Sequence, residues 1–343
     1  MPAPEGYRAA TEDAAVVPRP DRRFLEVWGR APGQMLLGLL TSRLPREEKE
    51  VAEGVSRGEA VPSAVLTPKG KILSDLRVLR EGEEGFLLDL PSAGLENVRA
   101  HFARYLPPRM ARAEERTGET ALLTLVGPRG RTLLEGVLPE LEDGRLDALD
   151  EEGDLLSAET RRLGRLRVIR SGELAAEALD LLVPQASART LVRELKAAGA
   201  EDATPDALRV LRMEKGRPAF GVDMDPEILL VEAGIHPLVL DDAKGCFTGQ
   251  EVVVRIRDRG RVNRHLRWIF LGDVSPPEAG TRLFEPGAGK DVGWITGACV
   301  SPRFGETLAL GYVRRSVEPG EAVRAGDPQG PEGLVREPGR EIP

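Results

Sequence analysis

Apolar and polar positions alternate over short stretches in the first third of the chain, a pattern typical of β-strands. Residues 24–28 form one such stretch, and residues 63–90 form three more, separated by the turn sequences PKGK and EGEEG. Residues 94–106 place apolar side chains on one helical face, and residues 31–42 are apolar on both faces behind a first-turn proline. We therefore expect a small layer in which helices pack against a β-sheet.

The middle of the chain continues this mixture of strands and helices. The predicted elements are strands at 110–116, 119–127 and 164–170, and helices at 131–139, 173–183, 187–199 and 205–216. Together with the first third, they make the expected fold class α+β.

Helical periodicity disappears from about residue 263 onward. Short apolar stretches there alternate with Gly and Pro, which predicts a small antiparallel barrel or sandwich. We expect residues 333–337 to form the last strand and the residues after it to be disordered.

Composition narrows the class of protein. A chain of 343 residues is long for one domain, and its net charge of −8 argues against a surface that coats nucleic acid. Two cysteines form no disulfide framework, and His101, His236 and His265 lie too far apart for a metal motif. Because the N-terminus lacks a signal-peptide pattern and no apolar run reaches about eighteen residues, we expect a cytoplasmic protein without a membrane partner or a metal.

One cysteine lies in an unusual polar turn, KGCFTGQE. Thr248 and Glu251 have the spacing of a capping box, which would place Cys246 near the positive end of a helix dipole, close to Lys244. Both influences would lower the pKa of the thiol. The alternative is that residues 251–257, EVVVRIR, form a strand and that the cysteine is a small packing residue.

Two other features bear on function. Cys299 lies in an apolar stretch and is expected in the core. Residues 255–267 contain six arginines and one acid, Asp258, and could bind phosphate or RNA. Because residues 255–267 contain no phenylalanine, tyrosine or tryptophan, a stacking platform for bases is missing, which favours an ordinary solvated face.

The octapeptide KGCFTGQE closely resembles the K-G-C-[YF]-T-G-Q-E signature of the YgfZ family, folate-binding iron–sulfur maintenance proteins related to the glycine-cleavage T-protein. The stretches LEVWGRAPGQMLLGLLT, AVLTPKGKILSDLRVLR and RMEKGRPAFGVDMD also resemble family elements. The likeness runs from about residue 22 to residue 325. The chain departs from the family pattern at Ala31 and Pro32, where Asp-Ala is usual.

This resemblance implies a T-protein-like α+β fold, with two α+β subdomains and a C-terminal antiparallel β-barrel around a central folate-binding hole. Residues 1–262 would form the folate-binding region, with its smaller subdomain at about 50–115. Residues 263–343 would form the barrel.

The resemblance also assigns roles to particular residues. Asp75 matches a carboxylate beside the folate, where an acid can stabilise charge on a folate nitrogen. Glu214 matches a glutamate that can accept paired hydrogen bonds from the pterin edge. Cys246 would be the functional thiol, and the rest of the motif is Lys244, Gly245, Phe247, Thr248, Gly249, Gln250 and Glu251.

The implied function is that of an accessory protein which uses tetrahydrofolate and supports iron–sulfur cluster assembly or repair and tRNA modification. Its partners would be folate and iron–sulfur client or assembly proteins. The alternative function is the aminomethyltransferase of glycine cleavage, with Asp75 assisting release of ammonia from a lipoyl-bound aminomethyl group. A third hypothesis, RNA binding through residues 255–267, is disfavoured by the acidic net charge.

Overall fold

The computed structural model describes residues 3–82, 84–142 and 144–339. The helices and strands of these residues are numbered along the chain. The helices are α1 (Tyr7–Glu12), α2 (Pro32–Leu39), α3 (Leu95–Tyr105), α4 (Gly130–Val137), α5 (Gln185–Ala197), α6 (Pro205–Lys215), α7 (His236–Val239) and α8 (Gln250–Arg259). The strands are β1 (Ala15–Pro18), β2 (Arg22–Trp28), β3 (Lys49–Ala52), β4 (Val55–Glu59), β5 (Val61–Leu66), β6 (Ile72–Glu81), β7 (Gly85–Pro91), β8 (Arg112–Glu115), β9 (Thr120–Val126), β10 (Asp154–Thr160), β11 (Gly164–Ser171), β12 (Ala178–Pro184), β13 (Glu201–Asp202), β14 (Arg264–Phe270), β15 (Arg282–Phe284), β16 (Asp291–Ser301), β17 (Glu306–Arg314), β18 (Ala322–Ala325) and β19 (Glu332–Arg336).

The larger sheet has the strand order β13-β1-β9-β12-β11-β10-β4-β3. Its strands pair antiparallel, except for the short parallel pairing of β1 with β13. Helices α4 and α5 cover one face of it, and leucines such as Leu134, Leu181 and Leu191 fill the core between the two layers. Burial of this apolar face is the main force that holds the helices on the sheet.

The smaller sheet has the order β5-β6-β7-β2-β8 and is antiparallel throughout. Helices α2 and α3 pack on it, as the helical spacing in residues 31–42 and 94–106 predicted. Its second-to-last strand, β2, precedes residue 50 in the chain, while β3 and β4 belong to the larger sheet. The domain boundaries drawn from the sequence stay predictions.

The two sheets face each other through a shared apolar cluster. Phe24, Leu79 and Leu87 come from the smaller sheet, and Leu122 and Leu182 come from the larger one. All five are nearly inaccessible to solvent. The space at the edge of this cluster is therefore walled by both sheets.

The C-terminal strands close into an antiparallel barrel in the order β14-β17-β16-β15-β18-β19, with β19 pairing back to β14. Helix α6 packs against it, where the Trp268 indole donates a hydrogen bond of 2.8 Å to the main-chain carbonyl of Met213. The predicted barrel and its last strand, at Glu332–Arg336, are confirmed. The expected disorder concerns residues that lie partly outside the described ranges.

One predicted element is wrong. Residues 173–183 were expected to form a helix, but Ala178–Pro184 form β12, in the middle of the larger sheet. Because both faces of this strand are buried, its residues are nearly all apolar, and the period of two that marks a half-buried strand is missing. The pattern also gave no indication of β1, β10 or the β3–β4 hairpin.

Candidate functional site

A cavity of about 310 Å³ is walled by both sheets and by the connecting segment 217–222. It is lined by charged side chains from distant parts of the chain and by apolar ones from Phe220, Leu238 and Val239. Polar groups converging on a concave and partly apolar surface are typical of a ligand site.

Asp75 lies in this cavity, on β6 opposite Ala64 of β5. Its Oδ1 atom is buried, and no described residue donates a hydrogen bond to it. Burial raises the pKa of Asp75, although Arg22 and Arg217 act in the opposite direction. A buried acceptor without a hydrogen-bond partner costs free energy, so a ligand that donates a hydrogen bond to this atom would recover that cost.

The other carboxylates in the lining are already paired. Asp21 and Glu173 lie 2.9 Å and 3.3 Å from guanidinium nitrogens of Arg19. Glu152 accepts a hydrogen bond from Arg217. The carboxylate on β6 therefore differs from its neighbours in keeping an oxygen free for a ligand.

An ion network forms the wall beneath this carboxylate. Arg22 and Arg77 both donate to Asp89, at 2.7 Å and 2.9 Å from their Nε atoms. Arg77 also donates to Asp180 of β12 at 2.6 Å, which joins the two sheets. Burial raises the pKa of Asp89, but the two guanidinium charges outweigh it and hold the pKa at about 2. The Asp89 carboxylate is therefore charged at neutral pH.

Glu214 lies elsewhere, on α6 against the barrel, and it is 1% exposed. Its carboxylate accepts hydrogen bonds from the Tyr7 hydroxyl at 2.8 Å, the Ser301 hydroxyl at 2.6 Å and the Arg303 amide at 3.2 Å. Glu214 is not among the lining residues of the cavity. The structure thus does not bring Glu214 and Asp75 together in one described cavity, and the folate role of Glu214 stays a prediction.

The KGCFTGQE turn is docked on the end of α2. The Lys244 ammonium donates to the main-chain carbonyls of Leu37, at 2.7 Å, and of Leu40. Its nitrogen also lies 4.9 Å from the centre of the buried Phe247 ring. Burial lowers the pKa of Lys244 to about 8. A cation at the carbonyl end of a helix is favourably placed relative to the helix dipole.

The predicted capping box is wrong. Helix α8 does begin at Gln250, but its N-cap is Gly249 in a left-handed conformation, with φ of 85°. Thr248 instead donates both its amide and its hydroxyl to the carbonyl of Gly38, at 3.0 Å and 3.3 Å. Glu251 is exposed at the first turn of the helix. The turn therefore reaches its helix through a glycine, because only that residue accepts this backbone without strain.

The two cysteines have opposite environments. Cys246 is exposed, whereas Cys299 is buried in β16 and burial raises its pKa to about 11. Residues 251–257 are helical, so the alternative strand reading of that stretch is wrong. Cys246 is not among the lining residues of the Asp75 cavity, and its thiol faces solvent.

The sequence analysis did not predict several residues that line the Asp75 cavity. Arg217 follows Glu214 within the same quoted stretch, RMEKGRPAFGVDMD, and this proximity was the one local signal available. Arg19, Glu152 and Glu173 come from three unrelated segments, and no spacing links them.

Within the described ranges, no group of three or more His, Cys, Asp or Glu residues is arranged to hold a metal ion. None of the described helices has the length and apolar character that a membrane span requires.

Comparison with known proteins gives consistent relatives. Residues 50–242 match the family described as the GCVT N-terminal domain. The aminomethyltransferase of Rubrobacter xylanophilus is 31% identical over 78% of this chain and 70% of its own length. The aminomethyltransferase of Moorella thermoacetica is 28% identical over 76% of this chain and 70% of its own length.

A solved structure shares the fold. The crystal structure of glycine cleavage system aminomethyltransferase T from Bartonella henselae superposes with a TM-score of 0.80. The match covers 98% of this chain and 90% of that chain, at 20% identity. The T-protein-like α+β fold with a C-terminal antiparallel barrel, predicted from the sequence, is confirmed.

Proposed function

Because the chain belongs to the family of the GCVT N-terminal domain, we propose that it binds tetrahydrofolate in the cavity beside Asp75 and acts there on a one-carbon unit. The observation that carries this proposal is the buried Asp75 Oδ1 atom, which has no hydrogen-bond donor among the described residues. Aminomethyltransferases of this family use tetrahydrofolate, so the cavity and the family point to the same class of ligand.

The residues present fit such a ligand. A cavity of about 310 Å³ lies at the lower end of the range of small-molecule sites. Phe220 and Leu238 offer an apolar wall for a pterin ring, and Asp75 offers an acceptor for one of its N–H groups. Tetrahydrofolate would supply the nitrogen that carries the one-carbon unit.

Asp75 would have two tasks in this cavity. As a carboxylate it stabilises positive charge on a nearby nitrogen, and with a raised pKa it can also hold a proton closer to neutral pH than an exposed aspartate can. Arg22 and Arg77 are both bonded to Asp89, so they hold this wall in one arrangement. Glu214 would support the site indirectly, by holding α6 against the barrel. To bind folate directly, its carboxylate would have to give up the hydrogen bonds from Tyr7 and Ser301.

Aminomethyl transfer is the first candidate activity. It is supported by the curated relatives, which are named aminomethyltransferases, and by a carboxylate that lies inside the cavity. In this function the chain would receive an aminomethyl group from the lipoyl arm of a carrier protein.

Iron–sulfur cluster maintenance is the second candidate, and the turn from Lys244 to Glu251 supports it. Cys246 is exposed at the end of a turn that is fixed to α2, so a partner protein could reach its thiol. In this function the partners would be iron–sulfur client or assembly proteins in the cytoplasm, with tRNA modification affected through those clients. Cys246 would be the functional thiol and the folate cavity a separate site.

Calorimetric titration of tetrahydrofolate into the reduced protein under anaerobic conditions tests the shared proposal. We expect micromolar binding that weakens about tenfold or more in Asp75→Asn, because a donor on the ligand loses its charged acceptor. Asp21→Asn is the matched control, since Asp21 lines the same cavity but is paired with Arg19. Absence of binding, or equal binding by wild type and Asp75→Asn, would overturn the proposal.

Glu214→Gln separates two roles in the same titration. Weaker binding with an unchanged melting temperature means that Glu214 contacts folate, whereas a lower melting temperature with retained binding means that it holds α6 on the barrel. Formation of methylene-tetrahydrofolate from an aminomethylated carrier protein then distinguishes the two candidate activities. If Cys246→Ala still forms methylene-tetrahydrofolate, aminomethyl transfer is supported. If the wild-type protein binds tetrahydrofolate but forms no methylene-tetrahydrofolate, the maintenance function is supported.

A further inference from the structure

A second cavity, of about 460 Å³, lies on the barrel and shares no lining residue with the Asp75 cavity. We call it the barrel cleft and define it by its five cations, which are Arg264, Arg282, Lys290, Arg314 and Arg315. One carboxylate, Asp291, lies among them. This concentration of positive charge is unexpected in a chain whose net charge is −8.

Arg264 is fixed at the base of the barrel cleft. Its guanidinium carbon lies 4.9 Å from the centre of the Trp294 ring and 5.5 Å from that of Tyr312. Its Nε atom lies 3.2 Å from a carboxylate oxygen of Glu232, and Nη2 donates to the main-chain carbonyl of Glu227 at 3.3 Å. An arginine held in this way loses little conformational entropy when it binds an anion.

The rim of the barrel cleft carries charge without compensation. Asp291 accepts a hydrogen bond of 2.6 Å from Arg282, so this acid neutralises one cation. Lys290, Arg314 and Arg315 are exposed and make no side-chain ion pair within the part of the chain that the structure describes. Three cations therefore face the opening with no acid of their own.

Two of the arginines face each other across neighbouring strands. Arg264 of β14 is the direct cross-strand partner of Arg314 of β17. Like charges in this position destabilise a sheet. Glu232 offsets part of the charge of Arg264, whereas Arg314 makes no ion pair with a described residue, so a bound anion between the two arginines would remove the repulsion that remains.

We propose that the barrel cleft binds the phosphate groups of a small phosphorylated metabolite. Guanidinium groups match phosphate oxygens with paired hydrogen bonds, and several cations around one concave surface suit a ligand with more than one negative charge. Arg264 lies over the Trp294 ring, and Tyr312 is fully buried, so neither ring is an open platform for stacking bases. This favours a small ligand over an RNA strand.

Calorimetric titration with inorganic tripolyphosphate tests the site on the full chain. We expect binding that weakens about tenfold or more in the double variant Arg314→Gln/Arg315→Gln, because two unpaired rim cations are lost. The double variant Arg104→Gln/Arg109→Gln is the matched control, since it removes two exposed arginines that lie outside the barrel and line neither cavity. Equal weakening in both double variants would mean general charge attraction and would overturn the proposal.

Two further titrations identify the ligand class. Citrate that binds as tightly as tripolyphosphate would overturn phosphate recognition. A structured RNA that binds more tightly than tripolyphosphate, and whose binding is lost in Arg314→Gln/Arg315→Gln, would overturn the assignment to a small metabolite. Tetrahydrofolate binding should be unchanged in the barrel variant, so a failure here is distinct from a failure of the folate proposal.

Discussion

Lys244 and Leu37 lie 207 positions apart in the chain and are joined by a hydrogen bond of 2.7 Å from the ammonium group to the main-chain carbonyl. The same ammonium reaches Leu40 at the end of α2. These contacts give the lysine of the KGCFTGQE turn a structural task, which is to hold the turn against a helix of the smaller sheet. The cysteine beside it is left exposed on a fixed support.

Lys244→Met should lower the free energy of unfolding by about 1–3 kcal/mol near pH 10, since the carbonyls of Leu37 and Leu40 lose their donor where the cost of burying its charge is small. Urea unfolding measures the change, and the difference from wild type should shrink as the pH falls towards about 8, because the lowered pKa of Lys244 means that the protonated ammonium costs stability in the folded chain. Lys69→Met is the control, because Lys69 is exposed. Similar values for both variants would contradict the structural task of Lys244.

Gly249→Ala should destabilise the protein by about 2 kcal/mol or more. Gly249 has φ of 85°, and a Cβ there would lie 2.5 Å from the carbonyl oxygen of Thr67. Gly245→Ala in the same turn should change stability by less than about 0.5 kcal/mol, because no atom lies within 4 Å of its added Cβ. Thermal unfolding of the two variants provides the comparison, and equal melting temperatures would contradict it.

Asp89 should contribute to stability at neutral pH and lose this contribution in acid. Its pKa is about 2 in the folded chain, below the ordinary aspartate value of 3.8. The unfolded chain therefore takes up the proton first, and stability falls as the pH drops from about 4 towards 2. Urea midpoints of wild type and Asp89→Asn should converge over this range. A constant difference between them would contradict the prediction.

Asp75 should behave in the opposite way. Burial raises its pKa, so the folded state prefers the protonated carboxyl and the charged form reduces stability at neutral pH. Asp75→Asn should therefore raise the free energy of unfolding at pH 7, and this gain should shrink as the pH falls below the ordinary aspartate pKa. A destabilised variant at pH 7 would show that the carboxylate has a partner in the folded protein.

Thiol labelling should separate the two cysteines. Iodoacetamide at neutral pH is expected to modify Cys246 and to leave Cys299 unmodified, because Cys299 is buried and its pKa is about 11. Mass spectrometry of the peptides gives the site, and Cys246→Ser should abolish the fast modification. Labelling of Cys299 at a similar rate in the folded protein would contradict the burial of β16.

Local sequence patterns were sufficient for elements with one buried face. The helices at 94–106 and 187–199 were predicted because one face of each is exposed to water and leaves a helical period in the sequence. The barrel strands were predicted from short apolar stretches separated by Gly and Pro, although a strand such as β17 is buried along most of its length. Strand β12 was not, since it is covered on both faces. The lesson is that a buried apolar run of this length does not distinguish a strand from a helix.

The site was less predictable than the fold. The resemblance placed Asp75, but the property that distinguishes it, an unpartnered oxygen, depends on the pairing of Arg19 and Arg217 with other acids. Likewise, the hydrogen bonds that occupy Glu214 come from Tyr7 and the barrel. Such facts depend on distances between remote segments, which spacing along a sequence does not contain.

The bond between Arg77 and Asp180 has a consequence for how the two sheets are aligned. Leucines that meet across a sheet interface tolerate small sliding movements, because apolar contact has little directional preference. An ion pair has a preferred length and direction, and this one connects β6, which carries Asp75, to the centre of the larger sheet. The Arg77–Asp180 ion pair therefore fixes the distance between the two sheets beside the cavity. A shorter side chain at either position would change the width of the cavity and with it the size of ligand that fits.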